Sequence, residues 1–127
     1  MAGPDPAVEP YVSLVTFRRD GSAVATPVWI AVAGELGYVF SAADAGKVKR
    51  LRRDARVKIA ACSARGVVHG PWREGRGRVV QDAATIERAY VALRAKYGWQ
   101  MRLGDFFSKL TGRYHRRAMI EISLDPA

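Results

Sequence analysis

Residues 45–54 read AGKVKRLRRD and carry five cations, Lys47, Lys49, Arg50, Arg52 and Arg53, broken only by Val48 and Leu51. Asp44 predicts an N-cap, Gly46 falls in the first turn, and Val48, Leu51 and Ala55 recur at helical spacing. Lys47 then stands beside free backbone N–H groups and the positive end of a helix dipole, which together hold phosphate. Ser41, at the end of the preceding apolar run, can add a hydroxyl donor. Upstream, TPVWIAV offers strand backbone interrupted by Pro27, against which the edge of a flat heterocycle can hydrogen-bond. The chemistry these residues suit is retention of a phosphate-bearing cofactor. On composition alone, a solvated amphipathic helix explains the same cations equally well.

Other chemistries lack their residues. No P-loop, G-x-G-x-x-G, G-x-S-x-G or H-E-x-x-H motif occurs. His69 and His115 lie far apart with no cysteine or acid at ligand spacing, which argues against a zinc site. Acids are scattered singly, so a paired-carboxylate hydrolase is disfavoured too. If the chain catalyses, a cofactor supplies the difficult step.

The 127 residues make one domain, with net charge +9 and 49% hydrophobic residues. Residues 1–10 read as a flexible lead and 11–127 as the domain. The single cysteine, Cys62, excludes an internal disulfide and reads as a buried thiol. The N-terminus has no apolar signal region, and no run approaches the ~20 apolar residues of a membrane span. A cytoplasmic protein is expected.

The elements that position the basic stretch are mostly strands. YVSLVTFR (11–18) is a strand, Asp20-Gly21 a hairpin turn, 23–33 a second strand and 38–42 a third. Residues 56–63 form a fourth strand, 64–72 a loop, 73–82 a fifth strand and 112–124 the last. Asp82 predicts the cap of a helix with an apolar stripe of Ile86, Ala89, Tyr90, Leu93 and Tyr97. Leu103, Phe106, Phe107 and Leu110 mark a second helical piece. Six strands with helical insertions imply a mainly β chain closed into a small barrel. A nucleic-acid-binding barrel is the rival from another class, with Phe17, Trp29, Tyr38 and Phe40 as stacking candidates. Clustering of the cations on a helix rather than along strands counts against it. Membrane-surface binding is disfavoured, since Val48 and Leu51 offer too little apolar area to insert.

Residues 26–62, from TPVW through FS, GKVKRL and DARV to AAC, resemble the core of the split β-barrel flavin- and deazaflavin-binding superfamily. Pyridoxamine 5′-phosphate oxidases and actinobacterial F420-dependent reductases belong to it, and GRYHRRAMIEISL resembles the last strand of the deazaflavin branch. The resemblance spans residues 11–124. It implies a homodimeric split β-barrel with flavin mononucleotide or coenzyme F420 at the subunit interface. Thr26, Pro27, Val28 and Trp29 would line the ring, Ser41, Ala42 and Lys47 would hold the phosphate, and Lys49 and Arg50 would assist. Trp72, Arg73 and Trp99 are candidates for completing the pocket across the interface.

The oxidases' Arg-x-x-x-x-Lys strand signature, tandem Arg-Lys and C-terminal Arg-Leu-Arg have no match here, which argues against pyridoxamine phosphate as substrate. One lysine at a helix start nearly satisfies the single phosphate of flavin mononucleotide. The excess cations suit the anionic oligoglutamate tail of F420 better. Haem is a third candidate. The expected activity is hydride transfer from reduced deazaflavin to an activated double bond of a small organic substrate. The alternatives within the fold are a flavin mononucleotide-binding oxidase-like protein and a non-catalytic carrier. Tyr114, His69 or solvent would supply the proton.

Overall fold

The structure, a computed structural model, describes residues 5–110 and 117–126, with Phe107 and Ser108 described as backbone only. The chain runs β1 (Val12–Phe17), β2 (Ala23–Val28), β3 (Ala31–Ala33), β4 (Leu36–Ala42), α1 (Gly46–Arg53), β5 (Arg56–Ala61), β6 (Arg73–Val80), α2 (Ala83–Tyr97), α3 (Trp99–Leu110) and β7 (Arg117–Leu124). All strands join one antiparallel sheet in the order β2-β1-β5-β6-β7-β4-β3.

β2 and β3 are the two edges of that sheet, yet only Trp29 and Ile30 separate them in sequence. The sheet must therefore curl until its edges almost meet, giving the split-barrel form. Residues 23–33 were expected as one strand and are two, because Ile30 N–H leaves the ladder and donates to Tyr97 Oη at 2.9 Å. The strand count rises accordingly from six to seven. Side-chain alternation cannot reveal where a strand changes partners.

Alternate residues line the inside: Leu14, Val39, Ile59, Ile120 and Ile122 form one core with Ile30, and α1 adds Val48 and Leu51. Each such side chain, fully buried, is worth about 1.5–3 kcal/mol. Outside, α2 lays Ala89, Tyr90, Leu93 and Tyr97 against Tyr38, Ala31 and Met119. Its expected cap is present, with Thr85 N–H donating to Asp82 at 3.0 Å, and Gly98 ends it at a positive φ of 57° that favours glycine. Asp20-Gly21 makes the β1–β2 turn, where Gly21 has φ 86°.

One helix expectation needs correction, and another holds with a different buried side. Asp44 does not cap α1: Ala45 N–H bonds to Ala42 O at 3.0 Å, and this turn moves the cap to Ala45, with no capping side chain. The expected second helical piece is α3, on which, among the described side chains, Met101 and Asp105 are buried while Leu103, Phe106 and Leu110 stay exposed. The side chain of Phe107 and residues 112–116 of the expected last strand lie outside the described residues. Among the described residues no helix is long and apolar enough to cross a membrane.

Candidate functional site

α1 starts uncapped by any side chain, so its first-turn N–H groups have no side-chain competitor for an anion. Lys47, half-buried there, donates from Nζ to Ser41 Oγ at 3.3 Å. Burial, with the charge of Arg50 added, pulls its ammonium below the ordinary lysine value. Among the described residues no carboxylate pairs with it. A cation in that position gains from an external anion.

The other cations of the helix divide. Arg50 Nε donates to Thr16 Oγ1 at 2.7 Å and Arg53 Nη2 to Phe17 O at 2.8 Å, so both tie α1 to the end of β1. Lys49 is exposed.

Lys47 opens onto a cavity of about 450 Å³. Tyr11, Pro27, Val28, Trp29 and Phe40 give it an apolar, aromatic wall; Lys47 and Arg117 make it cationic; Gly104 of α3 completes the lining. β2 supplies the wall as an edge strand paired with β1 alone, so one row of its backbone groups has no neighbouring strand. Trp29 is held flat against Tyr97, with centroids 4.4 Å apart and planes at 7°. Tyr97 Oη accepts from Ile30 N–H at 2.9 Å, and the carbonyls of Pro10 and Ile30 lie at 2.9 and 3.0 Å to accept its proton. Burial raises that phenol to about 12, so it stays a donor. Next to it, Lys96 Nζ donates to the carbonyls of Pro6, Glu9 and Ile30 at 2.8, 2.6 and 2.6 Å. These bonds fix the Trp29–Ile30 crossover and with it the aromatic wall.

Sequence reasoning missed Tyr11, Phe40, Gly104 and Arg117 as lining residues, and of these Arg117 is the cation. Its guanidinium lies over the Phe40 ring at 4.4 Å and its Nη1 bonds Asp105 Oδ1 at 2.7 Å. Asp105 also accepts from Arg94 Nε at 3.1 Å. No local motif marks Arg117. It reaches the site because β4–β7 register sets it opposite Ala42.

Of the expected site residues, the cavity brings together Pro27, Val28, Trp29 and Lys47. Ser41 joins through its bond to Lys47, and Ala42 is exposed beside it. Thr26 lies on β2 opposite Leu14, outside the lining. Lys49 and Arg50 are outside it too. Trp72 and Trp99 are exposed and do not line it, and Arg73 lines a different cavity of about 760 Å³ with Glu35 and Ser123. His69 is an exposed loop residue and Tyr114 lies outside the described residues.

The profile of the family described as pyridoxamine 5′-phosphate oxidase matches residues 7–124. No curated protein sequence matches the chain significantly. Among solved structures, a conserved hypothetical protein from Mycobacterium tuberculosis is 20% identical with a TM-score of 0.70, covering 94% of this chain and 76% of its own. A structure described as an F420 reductase is also 20% identical, with a TM-score of 0.54 and coverage of 97% and 96%. The haem storage protein HutZ from Vibrio cholerae is 11% identical, with a TM-score of 0.69 and coverage of 96% and 86%. At these identities the likeness is one of fold.

Proposed function

Because the chain belongs to the pyridoxamine 5′-phosphate oxidase family, we propose that it is an oxidoreductase working with a flavin-type coenzyme, F420 in first place and flavin mononucleotide in second. The observation that carries this reading is one cavity with an aromatic wall, Trp29 and Phe40, and two cations, Lys47 and Arg117. A coenzyme with a flat ring at one end and a phosphate at the other matches that division of chemistry. Lys47, the α1 N–H groups and Ser41 hold the phosphate, with Ala42 beside them. Pro27, Val28 and Trp29 present backbone and side chains to the ring, with Thr26 next to them on β2. Lys49 and Arg50 follow Lys47 on α1 and are the cations offered to a longer anionic tail. Bound there, reduced deazaflavin supplies a hydride to an activated double bond of a small organic substrate. The chain's own residues orient the ring, exclude water along Pro27, Val28 and Trp29, and leave the proton to solvent.

A homodimer suits the open side of the cavity, where a second chain would close the edge left by β2. F420 ranks above flavin mononucleotide because α1 carries more positive charge than one phosphate needs, and a fold neighbour is described as an F420 reductase. The haem storage protein among the neighbours keeps haem as a second reading. Titration of the purified protein with F420, flavin mononucleotide and haem, followed by fluorescence quenching and the haem absorption band, decides among them. Failure of both flavin-type coenzymes to bind, with tight haem uptake, removes the reading. Reoxidation of bound reduced coenzyme by a panel of quinones, enones and nitroaromatics separates an enzyme from a carrier.

A further inference from the structure

Gly104 sits in the interior of α3, where glycine is the least favourable residue after proline. A glycine there normally answers one of two needs. The first is a positive φ, and Gly104 is not among the four glycines that have one. The second is a close approach by another group, yet among the described residues a Cβ built on Gly104 meets nothing within 4 Å. At 3.6 residues per turn it lies between exposed Gln100, about 40° away on the wheel, and buried Met101, about 60° away, and it is itself half-buried. Gly104 nonetheless lines the cavity together with Lys47, Trp29 and Phe40, so a side chain added there would take up part of that space. Asp105, held by Arg94 and Arg117, fixes the helix so that this gap faces the cavity.

We propose that Gly104 is the specificity-determining position of the Lys47 cavity: its missing side chain leaves the room that admits a flat aromatic ring carrying an anionic group. For the identity of the natural occupant this rests on the coenzyme reading above. The gap itself does not.

Two variants and two ligands test it. Gly104→Ala should raise the melting temperature of the ligand-free protein by about 2–5 °C, since alanine is the better helix former and fits the space. Gly104→Leu fills the space, and should weaken binding of anilinonaphthalene sulfonate, an aromatic anion unrelated to any coenzyme, by about tenfold or more. It should weaken flavin mononucleotide or F420 equally, in a protein whose circular dichroism is unchanged. If the leucine variant does not fold, the alanine variant's affinity for the sulfonate replaces it, with a drop expected. A lower melting temperature for Gly104→Ala means a packing role and overturns the assignment. Unchanged sulfonate binding in the folded variants overturns it as well, as does failure of the unaltered protein to bind the sulfonate. If the sulfonate responds to residue 104 while neither coenzyme binds the unaltered protein, the coenzyme reading falls and Gly104 keeps its role.

Discussion

Arg117 Nη1 and Asp105 Oδ1 meet at 2.7 Å, with both side chains less than a tenth exposed. The pair joins the first residue of β7 to the middle of α3 and aims Arg117 at the ring of Phe40. Removing one charge of such a buried pair is a loss of about 3–5 kcal/mol. Asp105→Asn should therefore lower unfolding free energy by an amount in that range in urea titrations. Arg94, a third exposed, adds little to the figure. A loss under 1 kcal/mol would show that α3 is not anchored through this contact.

Lys47 should dominate coenzyme binding. A hydrogen bond to a charged group is worth about 1.5–3 kcal/mol, so Lys47→Ala should weaken flavin mononucleotide or F420 by about 10- to 100-fold in fluorescence titrations. Because the folded-state value of Lys47 is depressed below 10.5, affinity should begin to fall at a lower pH than an ordinary lysine allows. Stability of the ligand-free protein moves the other way. In the window just below 10.5 the unfolded chain holds the proton that folded Lys47 has released, so stability rises with pH there. Lys96 shifts in the same direction for the same reason, burial, so Lys47→Met removes only part of the rise.

Alkali should expose the role of Tyr97. Its phenol ionises near 10 when unfolded and at about 12 when folded. Its contribution is whole below pH 10 and is lost as pH climbs from 10 to 12, because only the unfolded chain gives up the proton there. Tyr97→Phe should keep the stack on Trp29 yet flatten that alkaline slope. It should also lower stability at neutral pH by about 1–3 kcal/mol through the Ile30 N–H left without its acceptor. A slope unchanged in the variant would assign the alkaline loss to other groups.

How much of this was visible in the chain itself varies with the range of the cause. Asp82 was legible as a cap because its partner, Thr85, is three residues away. Pro27 was legible as an edge or gap residue because a missing N–H has the same consequence in any fold. It does lie on an edge strand and line the cavity. The break at Trp29–Ile30 was hidden, since it depends on a hydroxyl 67 residues downstream. α3 shows the same limit. Leu103, Phe106, Phe107 and Leu110 marked the helix itself, but not that Met101 would be buried beside Asp105 and its ion pairs. Arg117 joined the site through strand register and Gly104 through an absent side chain, and neither leaves a local signature.

The last prediction separates the two coenzymes. Lys49 is exposed and Arg50 is already engaged by Thr16, so any help they give an oligoglutamate tail is of the surface kind, about 0–1 kcal/mol each. Lys49→Ala should thus weaken F420 by no more than about fivefold and leave flavin mononucleotide unchanged, since that coenzyme has no charge beyond its phosphate. Adding Arg50→Ala should widen the gap between the two coenzymes. It should also lower the melting temperature, because the Thr16 contact that ties α1 to β1 is lost. Equal losses for both coenzymes in the double variant would mean that the helix is loosened as a whole, and that the cations beyond Lys47 serve the fold rather than a tail.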